Sequence, residues 1–484
     1  MTERPKFSWK ILAMWYLTMP VILFLATWLR APYNIFFVVI VLGTGLKYSI
    51  DQIRSQQKTI VHYRYLIITL LMSVALIILS GAGGFVWQKS DWTKHNVVLN
   101  DLIQYRWPVN YGASAFVEQT TLVYYIAYYL PAALVGKLLG WRAGELGLFA
   151  QSLVGIYIFA QLIGERIRHS SIKFLLFFLM SGADIVGLWL LGGWPPESPH
   201  LEYYALGLQY SSVMTLLMWV PQHALVGWIT ALLAYDDYTK GKIHLTLPWY
   251  VAITLLWSPF VSLGLLIVFV PFILFRKIRE YLNAYSIGGA LLFGIIFLYY
   301  QSQIHILNNK ANMYLLSSEH VLHSIGTMIG FLILDVYIFA IVLILVKDKI
   351  QTIEKKLITW VFIVLLLIPQ VMYGAANDFV MRASIPALTI VFVFVLRYLD
   401  DIIRKKSYVM VVALILIIFG ICTPLAEVYR GFQKGDSATN EQPIYSMINA
   451  HLKYKVLHQQ YMGLATKAFG RYFGNYTLII EDEK

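Results

Sequence analysis

Apolar runs of membrane-crossing length recur along this chain, and they decide what it can fold into. A transmembrane helix needs roughly 20 mostly apolar residues. Ile11 to Trp28, Leu66 to Trp87, Ile325 to Val346 and Val409 to Leu425 meet or approach that length with almost no charge inside. Across 484 residues, 59% are hydrophobic and 13% charged, well below the roughly 25% charged residues of soluble domains. The alternating ~10-residue segments of a closed β-barrel are not seen. The sequence therefore predicts an all-α polytopic membrane protein with about thirteen transmembrane helices.

Charge then orients the spans. The start, MTERPKFSWK, is basic and leads into a long apolar run without a small-residue cleavage site, which reads as a retained first span with a cytoplasmic N-terminus. Arg54, Lys58 and Arg64 fit the same side, and the third run then delivers Asp91 to the outer face. The net charge of +12 sits mostly in short loops between spans, where it sets orientation and gives no case for nucleic acid as a partner. The single cysteine, Cys422, lies in an apolar run. Residues 122–139 have the length of a span. Four tyrosines there (Tyr124, Tyr125, Tyr128, Tyr129) and the inward placement of Glu165 to Lys173 favour a helix lying flat in the outer interface. Trp249 to Phe275 reads as two short helices turning at Ser258-Pro259. Residues 1–430 form the membrane domain, with 88–121 as its first large outer loop; 431–484 make an extracytoplasmic tail or small cap. The expected location is a bacterial plasma membrane.

The outer loop Asp91 to Tyr111 is the first long polar segment, and it opens on D-x-x-K-H. That spacing stacks Asp91, Lys94 and His95 across one helical turn. An ionised carboxylate suits the task of taking a proton from an attacking hydroxyl, and Lys94 suits a phosphate as a point charge. A helix-capping ion pair is the plainer reading, and Asp101 fits a structural role. On the expected topology, Glu197, His200 and Glu202, then Glu319 and His320, then Asn377, Asp378 and Arg382 reach the same side. Arg382, at the outer end of a span, fits a phosphate held by a planar fork, or an interfacial arginine snorkelling to headgroups. Gln222 and His223 follow Pro221 inside a span, where polar groups face a cavity or a neighbouring helix. His200 and Glu202, with Glu118, have a spacing that keeps a divalent metal open as a cofactor. Asp184 and Asp335 sit within spans and read as satisfied buried acids or as part of a proton path. Asn475 to Thr477 matches a glycosylation acceptor pattern by chance.

This order of parts resembles the GT-C superfamily of integral-membrane glycosyltransferases, which includes protein mannosyltransferases and lipid A aminoarabinose transferases. Asp91, Lys94 and His95 match the family's acid, base and histidine or aromatic after a span. VYYIAYYLPAALVGKLLGW and ERIRH match its Tyr-rich, Pro-containing stretch and the basic end of the next span. The match covers roughly residues 85 to 170. Two spans precede the loop beyond the one usual in the family's first segment, and the paired acidic motif of the metal-dependent oligosaccharyltransferases is missing from the loop. The resemblance implies a sugar donor on a polyprenyl phosphate, a glycan, lipid or protein acceptor in the cell envelope, membrane lipids as surroundings, and direct displacement with Asp91 as base. Lys94, His95, Gln222, His223, Asn377, Asp378 and Arg382 would bind the donor phosphate or substrate. A polysaccharide polymerase or ligase using undecaprenyl-diphosphate-linked glycans, and a lipid or solute transporter, are the rival expectations.

Overall fold

The computed structural model describes residues 8–55, 62–112, 119–192, 200–205, 207–304, 312–313, 321–374, 377–405, 407–433, 442–444, 446–447 and 459–476. The expected roles of Glu118, Glu197, Glu319, His320 and Thr477 fall outside these residues.

The chain is an all-α membrane protein with small strands. Its helices are α1 (Trp9–Trp28), α2 (Tyr33–Ser55), α3 (Tyr63–Ser80), α4 (Asp91–Gln104), α5 (Leu130–Leu139), α6 (Trp141–Gly164), α7 (Ser171–Phe178), α8 (Asp184–Gly187), α9 (Val213–Trp219), α10 (Pro221–Thr239), α11 (Ile243–Leu255), α12 (Pro259–Phe269) and α13 (Ala284–Tyr300). These are followed by α14 (Val321–Leu332), α15 (Ile338–Ile344), α16 (Thr352–Leu367), α17 (Asp378–Ala383), α18 (Ile385–Ile403) and α19 (Tyr408–Gln433). Among the described residues, 6 helices are long and apolar enough to cross a membrane: α1, α2, α3, α6, the run Ser324–Ile344 and α19. Large apolar side chains stand exposed along α2, α3 and α19, such as Val39, Leu71 and Ile418. Water would not tolerate so much contiguous apolar surface, whereas lipid does.

The expected helix over 122–139 and two further apolar stretches of span length come out differently from single unbroken helices. Residues 122–139 are not one helix. Thr120–Leu122 is a strand, a buried irregular segment follows, and α5 begins only at Leu130. Three of the four tyrosines, Tyr124, Tyr128 and Tyr129, are buried among other chain segments and do not spread along an interface. The stretch Phe174 to Leu191 is interrupted between α7 and α8. There the Met180 carbonyl accepts from the Val213 amide and the Ala183 amide donates to the Leu334 carbonyl, so neighbouring segments replace the helix's own bonds. Gly182 makes this approach feasible, since a Cβ on it would lie 2.1 Å from Asp335 Oδ1. The stretch Ser212 to Ala234 breaks at Val220, whose extended φ of −141° suits a residue before proline. The turn near Ser258-Pro259 is present: Ser258 caps α12 by accepting from the Val261 amide, and α11 and α12 pack on each other.

The bundle has two chemically distinct ends. At one end Lys10 and Arg166 pair with Asp236, Lys173 with Asp400 at 2.7 Å, Arg397 with Glu354 at 2.6 Å and Lys349 with Asp401. At the other, three strands pair antiparallel in the order β1 (Asn110–Gly112), β2 (Thr120–Leu122) and, third, Met462–Leu464, with Thr120 opposite Leu464 and Leu122 opposite Met462. The chain after α19 is thereby tied to the loop that follows α4. It is also tied to the end of α1, where the Asn475 amide donates to the Trp28 carbonyl.

Candidate active site

The site starts from a helix whose position is fixed by another helix's broken end. Because α9 stops at Trp219, its last carbonyls lack helical partners. Side chains of α4 supply them: Trp92 Nε1 donates to the Met218 carbonyl at 2.9 Å, and His95 Nε2 to that of Trp219 at 2.9 Å. His95 Nδ1 then accepts from the Tyr129 hydroxyl at 2.6 Å. Asn96 adds a bond to Gln88, which in turn donates to the Gly81 carbonyl. These contacts aim the first turn of α4, with Asp91 and Lys94, into a cavity of about 250 Å³.

The cavity gathers residues from distant parts of the chain. Asp91, Lys94 and His95 meet Asp378 and Arg382 of α17, Gln222 of α10, and His200. Tyr124, Tyr125, Trp219 and Tyr461 make its aromatic walls. Lys94 Nζ lies 3.1 Å from Asp91 Oδ1, and an Arg382 terminal nitrogen 2.8 Å from Asp378 Oδ1. The other terminal nitrogen of Arg382 is 3.5 Å from the Tyr125 hydroxyl. The rings of Tyr124 and Tyr125 lie 3.6 Å apart, and those of Tyr124 and Tyr461 4.4 Å apart. Aromatic faces combined with converging polar and charged groups are a common form of small-molecule site. Side-chain exposure grades through it, from 36% at Lys94 and 28% at Asp91 to 17% at Asp378 and 14% at Arg382. Gln222, at 0%, is its dry end.

The remaining expected residues divide. His95 lines the cavity, but both ring nitrogens are engaged by protein partners, so its part is to hold α4 in place. Burial pushes its pKa down to about 4, against the opposing charge of Asp91. His223 stands behind the wall, its ring 4.6 Å from that of Tyr125 and its Nδ1 2.6 Å from the Ser258 hydroxyl. Asn377 does not line this cavity. With φ +55° it shapes the turn into α17, accepting from the Tyr373 amide at 3.2 Å and donating to the Gly207 carbonyl at 2.8 Å. Asp184 accepts from Ser181 and Thr423 and Asp335 from Tyr204, so both are buried acids with hydroxyl partners. Asp101 accepts from Tyr111 at 2.6 Å and from the Met447 amide at 2.8 Å.

His200 and Glu202 come near each other, with Nε2 3.9 Å from Oε2. Glu202 is occupied by N–H and O–H donors from Ser212, Thr215 and Gln209. Among the described residues no group of three His, Cys, Asp or Glu side chains is arranged to hold a metal. His200 instead pairs through Nδ1 with Glu427 at 2.8 Å. Burial acts to lower its pKa, but the Glu427 hydrogen bond and the charges of Glu202 and Glu427 outweigh this and raise it. Lys89, Trp219 and Arg430 complete the shell of Glu427.

Sequence reasoning missed Tyr125, Trp219 and Tyr461 as wall residues, and Glu427 as the partner of His200. Aromatic abundance was the one available signal for the first three. Compared with family models, curated proteins and solved structures, the chain has no significant match.

Proposed function

We propose that the chain is a membrane glycosyltransferase that moves a sugar from a polyprenyl-phosphate donor to a hydroxyl of a cell-envelope acceptor. One observation carries this reading. Asp91 with Lys94, and Asp378 with Arg382, come from opposite halves of the sequence yet share one cavity walled by tyrosines and tryptophan. A carboxylate, two cations and aromatic faces are what glycosyl transfer from a lipid phosphate needs.

In this reading Asp91 takes the proton of the acceptor hydroxyl as its oxygen bonds to the anomeric carbon. The bond from that carbon to the phosphate oxygen breaks, and its electron pair leaves on the lipid phosphate. Arg382 and Lys94 stabilise the charge that gathers there, in a partly dry site where such stabilisation is strong. Tyr125 and Asp378 hold the guanidinium in place. The same reading takes the chain through about thirteen spans, with a cytoplasmic N-terminus. This puts the cavity at the outer leaflet of a plasma membrane, where donors of this class are presented.

A transporter is the second reading. It draws on the interrupted segments around Asp184 and at Val220, since broken helices and buried acids occur in transporters.

Purified protein offered a panel of polyprenyl-phosphate sugars and acceptors is the test, scored by release of lipid phosphate. Release by the wild type, lost by about 100-fold or more in Asp91→Asn, is the expected result. Release that survives the substitution would move the base elsewhere. No release from any pair would abandon the transferase in favour of transport.

A further inference from the structure

The dry end of the cavity contains a polar group that folding leaves unmatched. Gln222 is fully buried and lines the cavity, and neither its amide oxygen nor its amide nitrogen has a hydrogen-bond partner among the described residues. Buried side-chain amides are otherwise almost always bonded. One with both ends open, at the wall of a cavity, is matched to a ligand that offers a donor and an acceptor together. The charged groups of the cavity lie toward its more exposed part, in the pairs Asp91–Lys94 and Asp378–Arg382.

Resting on the transferase reading, we infer that the transferred sugar is electrically neutral and that Gln222 reads two of its hydroxyls. The donor phosphate takes the cations, which leaves the sugar ring to the rest of the cavity lining, Gln222 and the aromatic walls among it. A hydroxyl both donates and accepts, and a neighbouring pair satisfies the two ends of one amide. A uronic acid carboxylate or an amino-sugar ammonium set against Gln222 would face a neutral amide that forms no ion pair with it, and burying a charge without its own partner is strongly disfavoured. Gln222 is thus a specificity-determining residue, not a catalytic one.

The experiment compares polyprenyl-phosphate donors carrying a neutral hexose, its singly deoxygenated analogues, a uronic acid and an amino sugar. Each is run with the wild type and with Gln222→Ala. The wild type should prefer the neutral hexose by about 100-fold or more in kcat/KM over both charged donors. One or two deoxy positions should cost the wild type about 10-fold or more, and the same positions should cost Gln222→Ala almost nothing, because the partner is already gone. A merely structural role for Gln222 would leave the deoxy penalties intact in the variant, and that outcome would overturn the inference. Asp91-dependent release from a uronic or amino-sugar donor at a rate matching the neutral one would also overturn it while leaving the transferase standing. Absence of release from every donor would remove both.

Discussion

His95 joins two parts of the molecule through the two edges of one ring: Nδ1 accepts from Tyr129 at 2.6 Å, and Nε2 donates to the Trp219 carbonyl at 2.9 Å. This arrangement needs the neutral imidazole. Burial lowers the pKa from 6.5 in the unfolded chain to about 4. The folded value is the lower one, so this contribution to stability is fully present above pH 6.5 and is lost as pH falls toward 4. Its size is up to about 3 kcal/mol. Thermal unfolding in detergent across that range should show a steeper acid loss for the wild type than for His95→Gln. Parallel curves would show that the ring is not held neutral.

Arg382 holds Asp378 with one terminal nitrogen while the other faces Tyr125. On the proposed transferase reading Arg382 also meets the donor phosphate, and a lysine, with one compact charge, cannot keep both contacts while doing so. Arg382→Lys should therefore lower kcat/KM by roughly 10- to 100-fold with little change in melting temperature. Unchanged kinetics would assign Arg382 to lipid headgroups.

Gly264 of α12 sits against the backbone of α17. A Cβ there would lie 2.0 Å from the Ala383 carbonyl oxygen, so Gly264→Ala must displace the short helix that carries Arg382. Overpacking of this kind costs about 1–3 kcal/mol. On the proposed transferase reading the expected signature is a drop in turnover at temperatures where the variant is still folded. Full activity in a folded Gly264→Ala protein would mean that α17 tolerates the shift.

Burial raises the pKa of Asp101 to about 7, although Tyr111 and the Met447 amide bond to it. Here the folded value is the higher one. Its contribution to stability is present below the ordinary carboxylate range and declines as pH rises toward 7. Asp101→Asn removes the charge while keeping an acceptor for Tyr111. The variant should be more stable than the wild type at pH 8, by a few kcal/mol at most, and no more stable at pH 4. Chemical unfolding at both pH values decides it.

The parts of the site legible in the sequence were those set by local spacing or by position at the end of a span. Asp91 and Lys94 are one turn apart on a helix, and Arg382 follows an apolar run. The character of the chain as a helical membrane protein follows from the length of its apolar runs alone. What stayed hidden depends on contacts between distant segments. His95 looks like a functional histidine by spacing, and its fixed role comes from Tyr129 and Trp219. The tyrosines at 124 to 129 have the amphipathic character of interfacial residues, and contacts with distant segments turn three of them inward: Tyr124 lies against Tyr461, Tyr128 bonds to Ser152 and Tyr129 to His95. The break before Asp184 lies in a segment whose apolar composition is that of an unbroken helix. It exists because Val213 and Leu334 take over its backbone bonds.

The pairing of Thr120–Leu122 with Met462–Leu464 has a consequence in time. Tyr461, adjoining the later strand, supplies a wall facing Asp91. During synthesis the carboxylate and its lysine emerge early, whereas that wall exists only after residue 464 has been made and has docked on β2. A ribosome-bound chain with all its long apolar helices already in the bilayer would still present an unfinished chamber. The order of translation thus leaves the cavity open on that side until the rest of the bundle is in place.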